Sequence, residues 1–166
     1  PLGLRLRDSL VRQHSRQLVE LTNILDKVFP EFKPFFDGRF SATALYILTH
    51  YQSPEKIANM NAKSYEALRK KSRGKFSMVK FAQLKTLAKN TVGRSDAFLL
   101  KQMEITIDIE NQLDAKIDEI ESQILECIRA LNPPILTIPG IGELTAAIIL
   151  SEYGNINKFE NPAQLL

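Results

Sequence analysis

Leu4, Val11, Leu18 and Leu25 recur every seven positions, and Leu21 and Val28 add a second apolar line beside them. This spacing keeps one helix face apolar and predicts a long, coiled-coil-like helix over 4–29, with Arg7 and His14 interrupting the second line. Pro30 and Pro34 cannot donate a backbone hydrogen bond and are expected to stop it. Phe29, Phe32, Phe35, Phe36 and Phe40 cluster around that break. Rings bury large areas, so the cluster points to a small core or packing cap rather than a base-stacking platform.

Shorter elements follow. The apolar run 41–51 predicts a short helix, and Ser53-Pro54-Glu55 starts another, with serine as cap and proline at the first position. A further helix is predicted over 64–71, closed by Ser72-Arg73-Gly74. Ser77 is placed to cap one that runs to about Asn90 and stops near Gly93. Together they predict a compact helical insert. Ser95 is then expected to cap the longest helix, with Asp96 in its first turn. Along that helix Leu99, Met103, Thr106, Glu110, Leu113, Ile117, Ile120, Ile124, Cys127 and Leu131 follow an alternating three-four spacing. From Leu113 to Leu131 every seam position is apolar, with Cys127 counted as a small hydrophobe. Asn132-Pro133-Pro134 ends the pattern. The two long helices can pair antiparallel within one chain or between chains, and the seam does not choose. The fold class expected is all-α: long coiled-coil helices with a short-helix insert over 1–132, then the start of a helix-hairpin-helix domain over 133–166.

The hairpin reading rests on the run from Leu136 to Leu150, in which Gly140 and Gly142 flank Ile141 before an alanine-rich apolar stretch. Glycine lets backbone turn tightly and approach a ligand, and the next helix opens with unpaired N–H groups suited to phosphate. Gly140, Ile141, Gly142 and Thr145 are therefore candidate contacts to a nucleic-acid backbone, read without base specificity.

Charge sharpens that picture. The net charge is only +3, yet 63–94 carries ten basic residues against the single acid Glu66, while 96–126 carries nine acids against Lys101 and Lys116. The basic block suits a polyanion, and its densest part, Arg69, Lys70, Lys71, Arg73 and Lys75, is the leading candidate for phosphate contact. It could also be a solvated face, or pair with the acidic block. One cysteine, Cys127, excludes an internal disulfide, and His14 and His50 do not form a zinc pattern with it. There is no Gly-rich loop followed by Lys-Ser/Thr and no catalytic constellation. Neither a membrane-spanning run nor a signal peptide is visible, so the cytoplasm is the default compartment.

The run Leu136–Phe159, continued by 161–166, resembles the start of the C-terminal domain of DEDD-type insertion-sequence transposases, the insertion sequence one-ten family. Arg5–Gln13, Phe29-Pro30-Glu31 and Arg73-Gly74-Lys75 resemble upstream parts of the same family less specifically. The resemblance implies a recombinase that mobilises an insertion sequence and whose helical arm assists assembly, with DNA and a structured guide RNA as partners. It also implies Mg²⁺ for a parent enzyme whose RuvC-like carboxylates and catalytic serine have no counterpart here. On this reading the chain is an internal fragment, a homo-oligomer through its coiled coil, with no catalytic residue or cofactor of its own. A structural coiled-coil adaptor that binds an acidic protein is the alternative.

Overall fold

The computed structural model describes residues 2–153, and every regular element among them is helical. In chain order these are α1 (Leu2–Val28), α2 (Phe32–Phe35), α3 (Ala42–Tyr51), α4 (Pro54–Ala58), α5 (Ala62–Lys71), α6 (Met78–Lys89), α7 (Ala97–Leu131), a 3₁₀ turn (Pro134–Thr137) and α8 (Glu143–Tyr153). The chain forms two compact units, Ser15–Asn111 and Pro1–His14 with Gln112–Leu166. Each long helix gives a stretch to both.

In the unit Ser15–Asn111, the C-terminal stretch of α1 and the first part of α7 share one apolar core with α2–α6. Leu21, Leu25 and Val28, the repeat positions of α1, are buried there with Phe29, Phe32, Ile47, Leu68, Leu84 and Met103. Phe29 and Phe32 pack with ring centroids 5.6 Å apart, and Phe32 and Phe36 at 4.9 Å, so the aromatic cluster is core. Thr106 and Glu110, polar members of the predicted seam, are buried as well.

Caps define the short helices. Ser41 Oγ accepts from Ala44 N at 3.1 Å, and Ser53 Oγ from Lys56 N and Ser77 Oγ from Lys80 N, each at 3.2 Å, the last two as their positions predicted. Three starts and stops differ from expectation. α5 begins at Ala62, because Asn61 Oδ1 accepts from Ser64 N at 3.1 Å while Ser64 Oγ accepts from Asn61 N at 3.3 Å, a reciprocal capping box. α7 is capped by Asp96 rather than Ser95: Asp96 Oδ1 accepts from Leu99 N at 2.8 Å. Pro34 sits inside α2, third from its start, where a missing N–H forfeits no intrahelical bond.

α6 ends at Lys89, and Gly93 serves close approach rather than helix termination. Thr91 Oγ1 donates to Glu31 Oε2 at 2.6 Å, Val92 N to Glu31 Oε1 at 3.0 Å, and Arg94 N to Lys27 O at 2.7 Å. This binds 91–94 to the end of α1 so tightly that a Cβ on Gly93 would overlap the Val28 carbonyl.

In the other unit, the first part of α1 and the last part of α7 run antiparallel. Arg7 Nε donates to Glu121 Oε1 at 2.7 Å, His14 Nε2 lies 4.0 Å from Asp114 Oδ1, and Gly3 faces the Ile120 and Ile124 side chains. Pairing within one chain is thus realised. The covering is thin: Ile117, Ile120 and Ile124 are half-buried and Leu131 is 71% exposed. Cys127 is exposed, and Ile128 is buried in its place. A straight helix turns every 3.6 residues, so a repeat of 3.5 drifts off the covered face toward the end.

Candidate nucleic-acid interface

The predicted basic residues Arg69, Lys70 and Lys71 form the exposed last turn of α5, and Arg73 and Lys75 lie in the exposed turn after it. That turn closes the helix with two bonds, Gly74 N to Arg69 O at 2.8 Å and Arg73 N to Lys70 O at 3.1 Å. This is a Schellman motif, whose left-handed position is usually glycine. Here Arg73 occupies it at φ 52°, followed by Gly74 at φ 79°. An L-residue in that region costs ~1–2 kcal/mol, so an arginine is held where the fold alone would favour glycine. Ser72 Oγ fixes the turn further, donating to Arg69 O at 3.1 Å and accepting from Phe76 N at 3.0 Å.

Among the described residues no ion pair joins the basic block to the acidic one. The acids of α7 pair elsewhere: Glu104 with Lys101 at 2.9 Å, Glu119 with Lys116 at 2.7 Å, and Glu121 with Arg7. The hydrogen bond that Arg7 donates to Glu121, with the carboxylate's charge beside it, raises the Arg7 pKa above its ordinary value, despite partial desolvation. The basic turn therefore keeps its charges facing solvent; Lys71 leans over the Tyr46 ring at 6.0 Å.

A second Schellman turn ends α2, with Gly38 N bonded to Lys33 O at 2.9 Å and Asp37 N to Pro34 O at 3.0 Å. Asp37 and Gly38 are left-handed at φ 56° and 72°. The two turns are pinned together by Phe36 and Phe76, stacked at 6.3 Å, and between them lies a groove of about 270 Å³. Arg39, Lys75 and Lys80 line it, with Asp37, Ser41 and Thr43. Lys75 belongs to the predicted set; Lys80 lies in the basic block, outside its densest part. Arg39 stands 30 or more positions earlier in the chain than either, so charge counting along the sequence had no signal for it.

The predicted hairpin residues lie in the other unit. Ile138-Pro139-Gly140-Ile141 makes a β-turn, with Ile141 N bonded to Ile138 O at 3.1 Å and Gly140 at φ 88°. Proline then a left-handed glycine is the type II pattern. Gly142 needs no such conformation, Ile141 is half-buried, and Thr145 is exposed in the first turn of α8. The element before the hairpin is the 3₁₀ turn. Glu143, the first residue of α8, takes a bidentate pair from Arg129 at 2.8 Å for each bond. Arg129 holds the Glu143 carboxyl below its usual pKa. A carboxylate already stands at that helix start and the Ile141 N–H closes the turn, which leaves the Gly140 and Gly142 N–H groups and the Thr145 hydroxyl for a phosphate.

Residues 132–166 match the family model described as Transposase IS116/IS110/IS902 family. The described part of that stretch is the 3₁₀ turn, the hairpin and α8, and from Leu136 onward it coincides with the run that carried the sequence resemblance. No curated protein and no solved structure matches the chain. Residues 154–166, the rest of the match and of the quoted run, lie outside the described residues. Among the described residues no group of three or more His, Cys, Asp or Glu side chains could hold a metal ion. No described helix is long and apolar enough to cross a membrane.

Proposed function

We propose that this chain is the nucleic-acid-binding and oligomerising part of a DNA transposase or recombinase. The observation that carries the reading is the turn at Arg69–Lys75. Five exposed cations are displayed together, without acidic partners from α7, on a turn that places arginine in a left-handed position. Binding a polyanion there releases condensed counterions, which favours association with any phosphate backbone and carries no sequence information. The transposase match at 132–166 supports DNA as that polyanion. The hairpin Gly140-Ile141-Gly142 adds a smaller contact through the Gly140 and Gly142 N–H groups. Assembly is supported by the half-covered seam from Leu113 to Leu131, which still exposes apolar surface after α1 has paired with it.

Salt dependence tests the binding role. The affinity of the whole chain for a labelled duplex, measured between low and moderate salt, should fall along a straight line in logarithmic coordinates. Neutralising Arg69, Lys70, Lys71 and Arg73 together to glutamine should flatten that line by about three to four units, at ~0.9 per phosphate contact. A fourfold variant with the full slope would return the block to a solvated face, and capture of an acidic protein would become the better account.

A further inference from the structure

The groove between the two Schellman turns is a candidate site in its own right. Its three cations come from separate places: Arg39 from the segment before α3, Lys75 from the turn after α5, and Lys80 from the first turn of α6. Among the described residues none of the three has a carboxylate partner, and Asp37 at the rim offsets only one charge. The net charge around the depression is therefore positive and favours an anion arriving from solvent. The hydroxyls fit that role. Ser41 Oγ accepts from Ala44 N, which leaves its O–H free to donate, and Thr43 stands beside it on the first turn of α3. Ser72 is fully engaged by its own turn and only shapes the wall.

Size narrows the occupant. About 270 Å³ is below the ~300–1,000 Å³ of pockets that enclose a whole small molecule, and it suits one compact anionic group. The turn that supplies Ser72 and Lys75 to the groove also carries Arg73 and directly follows Arg69, Lys70 and Lys71 of α5, so an anion seated there can belong to a longer polyanion that extends toward them. We infer that this groove seats a single backbone phosphate of a nucleic acid, held by Arg39, Lys75 and Lys80 with the Ser41 and Thr43 hydroxyls. The inference rests on the proposed nucleic-acid-binding role and fixes where the register-setting contact lies: at a built groove, beside an exposed strip of charge.

The test compares two double variants of the whole chain that remove equal charge. Arg39→Gln with Lys80→Gln alters the groove. Arg16→Gln with Lys56→Gln alters an exposed residue of α1, outside the basic block, and an exposed residue that lines a separate groove with Glu104. All four residues are exposed, and matching circular dichroism would confirm equal folding. With a labelled duplex as probe, the groove variant should lose about one unit of salt slope, at ~0.9 for the one phosphate it seats, and the control should keep the wild-type slope. Equal slopes for the two doubles, with the fourfold Arg69–Arg73 variant still impaired, would overturn the groove while leaving the binding role standing. A wild-type chain that binds no duplex or single strand would overturn both. Amide shifts at Thr43 and Lys80 on titrating inorganic phosphate, without any slope difference between the doubles, would mark a free-anion site and likewise overturn the inference.

Discussion

Replacing Gly93 with alanine should be among the most damaging single-methyl changes in the chain. The added Cβ would overlap the carbonyl carbon and oxygen of Val28 and come within 3.0 Å of Phe29 N. All three are backbone atoms at the end of α1, so no rotamer change can relieve the clash, and segment 91–94 has to back away. That retreat breaks or lengthens Arg94 N to Lys27 O at 2.7 Å and the two bonds that Glu31 receives, 2.6 Å from Thr91 and 3.0 Å from Val92. Overpacking costs ~1–3 kcal/mol, a neutral hydrogen bond about 1 kcal/mol, and bonds to a charged group ~1.5–3 kcal/mol. Part of the bonding survives relaxation, so the expected loss is about 3–5 kcal/mol. Gly38→Ala is the internal comparison. Gly38 has φ +72° and nothing within 4 Å of its Cβ position, so only the left-handed penalty of ~1–2 kcal/mol applies. Urea unfolding followed by circular dichroism reads both, with the midpoint shift converted through a common slope. Gly93→Ala at or below the cost of Gly38→Ala would refute the claim that 91–94 is fastened to α1 by contact rather than conformation.

The remaining expectations are smaller and separate. Burial opposes ionisation of Glu31, but its hydrogen bonds from Thr91 and Val92 outweigh that and lower its pKa, so its contribution is present above the ordinary carboxyl range and lost as pH falls through the folded value; Glu31→Gln should flatten the acid limb of a stability–pH profile, and an unchanged limb would contradict this. Arg73→Gly should leave the chain as stable or up to about 1 kcal/mol more so, since glycine relieves the left-handed strain at some cost in unfolded-state entropy, while weakening duplex binding; a marked fall in the thermal midpoint would count against the turn geometry. Ile117→Lys with Ile124→Lys should lower the mass seen in sedimentation, and a wild-type chain that is monomeric at high concentration would end the proposal of assembly through this seam. Gly140→Val should weaken binding with little change in salt slope, because it strains a residue at φ +88° and removes no charge; a changed slope would show that the turn acts through charge instead.

The all-α class, the two long helices and most short ones were legible in the sequence because they depend on local signals. Heptad spacing placed α1 and α7, and Ser41, Ser53 and Ser77 marked helix starts because a cap reads only the next three residues. At Ser95 and Asp96 spacing alone picked the wrong cap, and at Ser64 it placed the helix start two residues late, since the start turns on which side-chain oxygen reaches the backbone. The exposed basic turn at Arg69–Lys75 was also legible, as a local run of charge. What only the tertiary structure decided is whatever joins distant residues. The antiparallel partner of the α7 seam is an early stretch of the same chain, and Glu31 holds a loop sixty positions away. Arg39 shares a groove with Lys75 and Lys80 because Phe36 and Phe76 stack and bring two turns together. Periodicity and capping are written within a turn or two of helix, whereas burial of rings and apolar faces is satisfied by whichever distant surface fits, and one sequence read along its length does not name that surface.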